Sequence, residues 1–260
     1  MPPKTPYLSV LIPALNEGRT LSAVIDAVLA VALPLEVILV DDGSTDDTWR
    51  QMQARADGVR VRAFQHATNQ GKGAAIRTAL SQARGEVVII QDADLEYNPH
   101  DYARLIEPIQ TGKATVVYGS RAFASHTAYS FWYVMGNRLV TLATNLFYNV
   151  YLSDMETGYK VLPRTLALSL DLEARGFELE PEITAKVLRL GYRIFEVPVE
   201  YTARSRAEGK KLTPRDGLKA ILALARYRGW RPQAQLRGVP VSLPVREHTP
   251  AAQTEVRQTV

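Results

Sequence analysis

The sequence predicts an α/β fold: a mostly parallel sheet with helices on both faces. Apolar runs of strand length recur at 7–12, 35–40, 59–64, 86–90 and 114–118. Between them, near 18–32, 46–57, 71–84 and 99–110, apolar residues return at helical spacing. The runs are continuous Val/Ile/Leu stretches rather than alternating ones, as expected of strands covered on both sides.

Taken in order, the first run leads into PALNE at 13–17, the second into DDGS at 41–44, and the third into NQGKG at 69–73. The fourth leads into QDAD at 91–94 and the fifth into GSR at 119–121. Beyond 125 the pattern changes. Residues 128–152 are aromatic-rich, with Asn137, Thr141, Asn145 and Tyr148 recurring three or four apart, which predicts an amphipathic helix or helix pair. A helix near 180–190, a strand at 192–197 and a basic helix near 214–229 follow. Residues 231–260 hold four prolines and no aromatic residue, and read as a mobile tail.

Composition narrows the function classes. A chain with 46% hydrophobic and 22% charged residues is globular rather than disordered. The absence of cysteine excludes disulfides, thiolate metal sites and a thiol nucleophile. A net charge of +4 is too small to imply nucleic acid, and no nucleic-acid partner is expected. The start, MPPKTPYLSV, shows no secretory signal, and no stretch gives eighteen apolar residues in a row. A cytoplasmic protein, peripheral to the membrane if it meets one, is the expectation.

In open α/β sheets ligands bind beyond the carboxyl ends of the strands, so those ends carry the candidates. Asp92 and Asp94 follow a buried strand, where two carboxylates need positive compensation. Mg²⁺ or Mn²⁺ would provide it, completed by phosphate oxygens and water, with Glu96 as a third oxygen. An Asp-rich turn capping the next helix is the alternative. Asp41 and Asp42 could hydrogen-bond a ribose or base edge, although taken alone a plain strand-to-helix turn with Ser44, Thr45 or Asp46 as N-cap is the better account. Gly71-Lys72-Gly73 opens a helix, which would set free N–H groups and a cation beside an anion. The four histidines have no metal-ligand spacing.

Together VLIPALNE at 10–17, VDDGSTDDT at 40–48, NQGKGAAIRTAL at 69–80, QDADLEYNP at 91–99 and YGSR at 118–121 resemble the inverting family 2 glycosyltransferases of GT-A fold. Within these, the chain is most similar to dolichol-phosphate mannose synthases and bacterial polyprenyl-phosphate glycosyltransferases. SDMETGYKV at 153–161, GFELEPEITAK at 176–186 and EVPVEYTARSRAEGKKL at 196–212 extend the likeness. The resemblance implies a catalytic domain over 1–230, with a nucleotide-sugar half at about 1–122 and an acceptor half at about 123–230. It implies that Pro13, Asn16, Glu17, Asp41, Asp42, Lys72 and Asp92 line the nucleotide, and that Asp92, Asp94 and Glu96 hold Mg²⁺ or Mn²⁺. Leu15 stands where the family usually has an aromatic residue, so GDP-mannose and UDP-glucose types both remain as donors.

On the acceptor side the resemblance implies that Arg121, Thr141 and Arg204 contact a lipid phosphate. Arg138 and Lys211 join them as nearby cations, and guanidinium groups suit phosphate through paired hydrogen bonds. Arg121 and Asp154 complete the expected catalytic set with Asp92 and Asp94. A phosphomonoester, with a second pKa of about 6, can attack without a general base. An alcohol acceptor would need one, with Asp154 or Glu156 as candidates. A non-catalytic nucleotide-sugar-binding subunit is the remaining alternative, disfavoured by retention of both Asp92 and Asp94.

The charge is unevenly spread: residues 1–103 carry −4, 104–203 are neutral, and 204–231 carry +7. The basic segment, together with the aromatic helix, suits a membrane surface, on which a membrane-anchoring partner could also recruit the chain.

Overall fold

The computed structural model describes residues 6–121, 126–127, 131–204 and 214–231. The parallel core is built from β1 (Leu8–Ala14), β2 (Leu35–Asp41), β3 (Val61–Gln65) and β4 (Val87–Ile90). Helices α1 (Leu21–Ala30), α2 (Thr48–Arg55) and α3 (Lys72–Gln82) connect them, and α4 (Tyr102–Gln110) leads to β5 (Val116–Ser120). These are the expected elements, with ends shifted by a few residues.

Two-sided burial is visible residue by residue. Val10, Ile12, Val37, Leu39, Val87 and Ile89 face a core completed by Leu21 and Ile25 of α1 and by Leu105 and Ile106 of α4. Their neighbours Leu11, Ile38, Val40, Val88 and Ile90 face the opposite core, with Ile76 and Leu80 of α3. Each such side chain contributes roughly 1.5–3 kcal/mol, which is why apolar residues stand at both parities of each run.

The second half of the chain adds a two-residue strand β6 (His126–Thr127), α5 (Phe131–Tyr148), β7 (Lys160–Pro163), α6 (Arg164–Ser169) and α7 (Leu179–Arg189). Then come β8 (Ile194–Pro198), β9 (Tyr201–Thr202), which pairs with β6, and α8 (Pro214–Tyr227). Residues 131–148 form one continuous helix rather than a pair. Val140 of α5, Met155, Ala185 of α7, and Leu224 and Tyr227 of α8 make a third, smaller core.

Among the described residues the main sheet has seven strands in the order β3-β2-β1-β4-β7-β5-β8. β7, which the sequence did not announce, runs antiparallel between β4 and β5, with Val161 opposite both Ile89 and Val117. Its Lys160 is fully buried, with the ammonium donating to the Met155 carbonyl at 2.9 Å and the Thr157 carbonyl at 2.5 Å. Burial pushes its pKa down to about 8, against nearby carboxylates that raise it. The strand thereby fixes residues 155–157 beside the open ends of β4 and β5.

Candidate active site

The strand ends gather the candidate residues into three charged groups. In the first, Arg204, just past β9, meets the loops after β1 and β4. Its guanidinium lies 3.0 Å from Glu17 Oε2 and 3.1 Å from Asp94 Oδ2, and its backbone N–H donates to Glu96 Oε1 at 2.8 Å. Tyr201 O–H donates to the other Glu96 oxygen at 2.5 Å. In the second group, the Lys72 ammonium bridges Asp92 Oδ1 and Glu180 Oε1, each at 2.8 Å. Burial alone would lower its pKa, but those two carboxylates hold it well above the ordinary lysine value.

The third group is a two-toothed ion pair. Arg121 Nε and Nη2 donate to Asp154 Oδ2 and Oδ1 at 2.6 and 2.7 Å, and the Arg121 backbone N–H adds a third bond at 3.1 Å. The Asn137 amide reaches Asp154 Oδ1 at 3.1 Å. Burial pushes the Asp154 carboxyl up, but Arg121 outweighs it and holds the group below the usual range. The turn bearing Asp154 is clamped from two sides: Glu196 accepts from the Ser153 and Asp154 N–H groups, and Thr141 Oγ1 accepts from Met155 N–H at 3.2 Å.

The remaining expected residues are placed as follows. Asp41 is fully buried, its oxygens accepting from Ser44 N–H and the Gln65 amide. Asp42 accepts from Gln70 and Gly71 N–H and pairs with His66 at 2.7 Å. Both carboxylates thereby hold the loops that follow β2 and β3. The N–H groups opening α3 are not free, because those of Gly73 and Ala74 donate to the Arg175 carbonyl. Gly71 has φ +98°, and a Cβ there would lie 2.2 Å from Arg175 O. Gly71→Ala is therefore expected to cost about 1–3 kcal/mol in urea unfolding.

Arg204 sits with the carboxylates of the loops after β1 and β4, while the Arg121 guanidinium lies 5.0 Å from the centre of the Tyr201 ring. Arg138 is exposed on α5, and its neighbour Asn137 faces the Arg121–Asp154 pair instead. Thr141 is buried, its hydroxyl engaged with the Asp154 turn. Lys211 lies outside the described residues. Pro13 is buried in β1 opposite Val40, where pairing with β4 has already ended and its missing N–H is tolerated. Asn16, at φ +55°, accepts from Thr45 N–H at 2.8 Å and so ties the β1 and β2 loops together.

Among the described residues no three His, Cys, Asp or Glu side chains gather as a metal-holding group. Glu96 in particular has each carboxylate oxygen engaged by a protein donor. The Asp92–Asp94 pair nevertheless fits a hard cation. Burial and the charges of Asp92 and Asp94's other neighbour, Glu96, push the Asp94 carboxyl up to about 7, so Arg204 alone leaves the cluster short of positive charge. Mg²⁺ commonly takes one or two carboxylates and draws its other ligands from phosphate and water.

Gln91 and Tyr97 contribute without having been candidates in the sequence. Gln91 Oε1 accepts from both Tyr102 and Tyr159 O–H, at 2.6 and 2.7 Å, and so anchors the strand end that carries Asp92. Tyr97 O–H accepts from Gly158 N–H at 2.8 Å. Glu156 is pushed up to about 7, by burial first and then by the charge of Glu180.

The family model "Glycosyl transferase family 2" matches residues 9–167. Polyprenol monophosphomannose synthase of Mycolicibacterium smegmatis is 29% identical over 209 residues, covering 75% of this chain and 77% of that protein. Dolichol-phosphate mannosyltransferase of Pyrococcus furiosus is 27% identical over 212 residues, 78% of this chain but 58% of its own length. Among solved structures, glucosyl-3-phosphoglycerate synthase from Mycobacterium tuberculosis with Mn²⁺, UDP-glucose and phosphoglyceric acid aligns with a TM-score of 0.66. The two are 25% identical over 87% of this chain and 80% of that one. With the family match running from β1 into α6 and the sheet matching a solved GT-A enzyme, the chain belongs to glycosyl transferase family 2 and is a glycosyltransferase of GT-A fold.

Proposed function

We propose that this glycosyltransferase moves a hexose from a GDP-mannose- or UDP-glucose-type donor to polyprenyl or dolichyl phosphate, with inversion, at the cytoplasmic membrane face. The observation that carries the reading is the state of Asp154. Held by Arg121 and kept below the ordinary carboxylate range, it is a weak base. A phosphate acceptor needs none, since its dianion attacks the anomeric carbon directly. The names of relatives from Mycolicibacterium smegmatis, Pyrococcus furiosus and Micrococcus luteus agree, being polyprenol, dolichol-phosphate and undecaprenyl-phosphate mannosyl enzymes.

In this reading Asn16 and Glu17 shape the nucleotide side, while Asp92 and Asp94 hold Mg²⁺ or Mn²⁺. The ion would neutralise charge on the departing nucleoside diphosphate. Lys72 and Arg204 add positive charge to the same side. Arg121 marks the acceptor side, and Lys211 belongs to the basic segment that would meet the lipid phosphate.

No described helix is long and apolar enough to cross a membrane. Attachment to the surface would use the outer face of α5 and α8. Trp132 and Leu146 are 79% and 72% exposed, with Leu139, Leu142, Leu218 and Leu222 also open. A Leu146→Glu/Leu222→Glu variant is expected to bind anionic vesicles about tenfold or more weakly in co-sedimentation, since each leucine buried contributes roughly 1.5–3 kcal/mol.

The test of the reaction is turnover with Mg²⁺ or Mn²⁺, a panel of UDP- and GDP-sugars, and short-chain polyprenyl phosphate. Transfer that requires the lipid phosphate is expected, and lipid-independent transfer to an alcohol overturns the reading. A soluble hydroxyl acceptor is the second reading, favoured by Glu156, whose carboxyl at about 7 suits a base better than Asp154 does. Phosphoglyceric acid, bound in the Mycobacterium tuberculosis structure, belongs in the same panel.

A further inference from the structure

We infer that Glu180, with Glu156 beside it, accepts hydrogen bonds from hydroxyl groups of the donor sugar and so helps select which nucleotide sugar is used. The inference rests on the nucleotide-sugar reading above and concerns two residues that it leaves without a task when the acceptor is a phosphate.

Glu180 lies in the first turn of α7 and is 5% exposed. One of its oxygens takes the Lys72 ammonium, which also holds Asp92, so a single ammonium separates Glu180 from the carboxylate at the end of β4. The other oxygen, Oε2, is buried and has no hydrogen-bond partner, and Glu156 Oε1 is in the same condition. The two carboxylates lie close enough for the charge of Glu180 to act strongly on Glu156. The turn carrying Glu156 also abuts Asp92: a Cβ on Gly158 would lie 2.7 Å from Asp92 Oδ2.

A buried carboxyl oxygen without a hydrogen-bond partner is costly, roughly 1–3 kcal/mol. Two such oxygens beside Asp92 therefore favour a ligand that brings donors. The local cations are already committed, Lys72 to its two carboxylates and Lys160 to the Met155 and Thr157 carbonyls. A phosphate would be repelled. Neutral hydroxyl groups suit both acceptors, and a hexose attached to a diphosphate held near Asp92 carries several of them. A site built to bond a hydroxyl also rejects ligands that lack it, because its own buried group is then left unpaired.

The test compares binding of GDP-mannose with GDP, and of UDP-glucose with UDP, in the wild type, Glu180→Gln and Glu156→Gln. In each variant the nucleotide sugar is expected to weaken about tenfold or more while the matching nucleoside diphosphate changes by less than about twofold. Glu156→Gln removes no ion pair, so it decides the matter if Glu180→Gln melts early. Equal weakening of sugar-bearing and sugar-free ligands, or no change in either, overturns the inference while leaving the proposed reaction intact. A wild-type chain that binds none of the four ligands overturns both.

Discussion

Arg121→Met is expected to lose about 3–5 kcal/mol of stability in urea unfolding, because it leaves the buried Asp154 carboxylate without its cation. Adding Asp154→Asn should recover most of that loss, since the uncompensated charge, rather than the missing contact, is the larger cost. Activity is not expected to return in the double variant, as Arg121 would also meet the acceptor. The pH dependence has a definite sign. Asp154 has a folded pKa below its ordinary 3.8, so its contribution is fully present above about pH 4. It is lost as pH falls through the folded value. The stability difference between wild type and Asp154→Asn should therefore hold from pH 7 to about 4 and shrink below that. A difference that is already gone at pH 6 would mean that the pair is not desolvated as described.

Asp94→Asn should lower kcat by about 10²–10³-fold, the scale of losing a group that organises charge stabilisation of the leaving diphosphate. The fold should survive, because Arg204 keeps Glu17 and the Glu96 carboxylate still accepts its backbone N–H. Stability should move the opposite way from activity in protein stripped with EDTA. Asp94 is raised to about 7, so the native state holds a proton that the unfolded chain releases near 3.8. Stability contributed by this group is therefore present below about pH 4 and is lost as pH rises to 7. Above pH 7 the metal-free variant should melt higher than wild type, with the gap closing as pH falls toward 4. Added Mg²⁺ or Mn²⁺ should raise the melting temperature of wild type and leave the variant nearly unmoved. Equal responses would remove Asp94 from the metal site.

How much of this could be read in the chain depends on the kind of interaction. The runs around Val10, Ile38 and Val88 announced themselves because residues of both parities are buried, so apolar side chains stand on both faces, and the buried Ser9 and Glu36 bond one another at 2.7 Å. β7 did not: it is four residues long and opens on Lys160, a charge that becomes tolerable inside the sheet only once two loop carbonyls receive its ammonium. The neighbouring α5 residues Asn137 and Arg138 show the limit of sequence position. Arg138 carries the charge, but Asn137 carries the contact, since one residue along a helix turns a side chain about 100° away.

By itself, the sequence determined the doubly covered sheet and the carboxylates and cations standing at its strand ends, because burial pattern and strand termination are local properties. Only the tertiary structure decided which cation serves which carboxylate. Arg204 goes to Glu17 and Asp94, Lys72 to Asp92 and Glu180, and Arg121 to Asp154, across separations of up to 187 residues. The reason is physical: in a weakly polarisable interior the strength of a charge pair depends on ångströms of separation. Those distances are set by the order β3-β2-β1-β4-β7-β5-β8, which no single stretch of the chain contains.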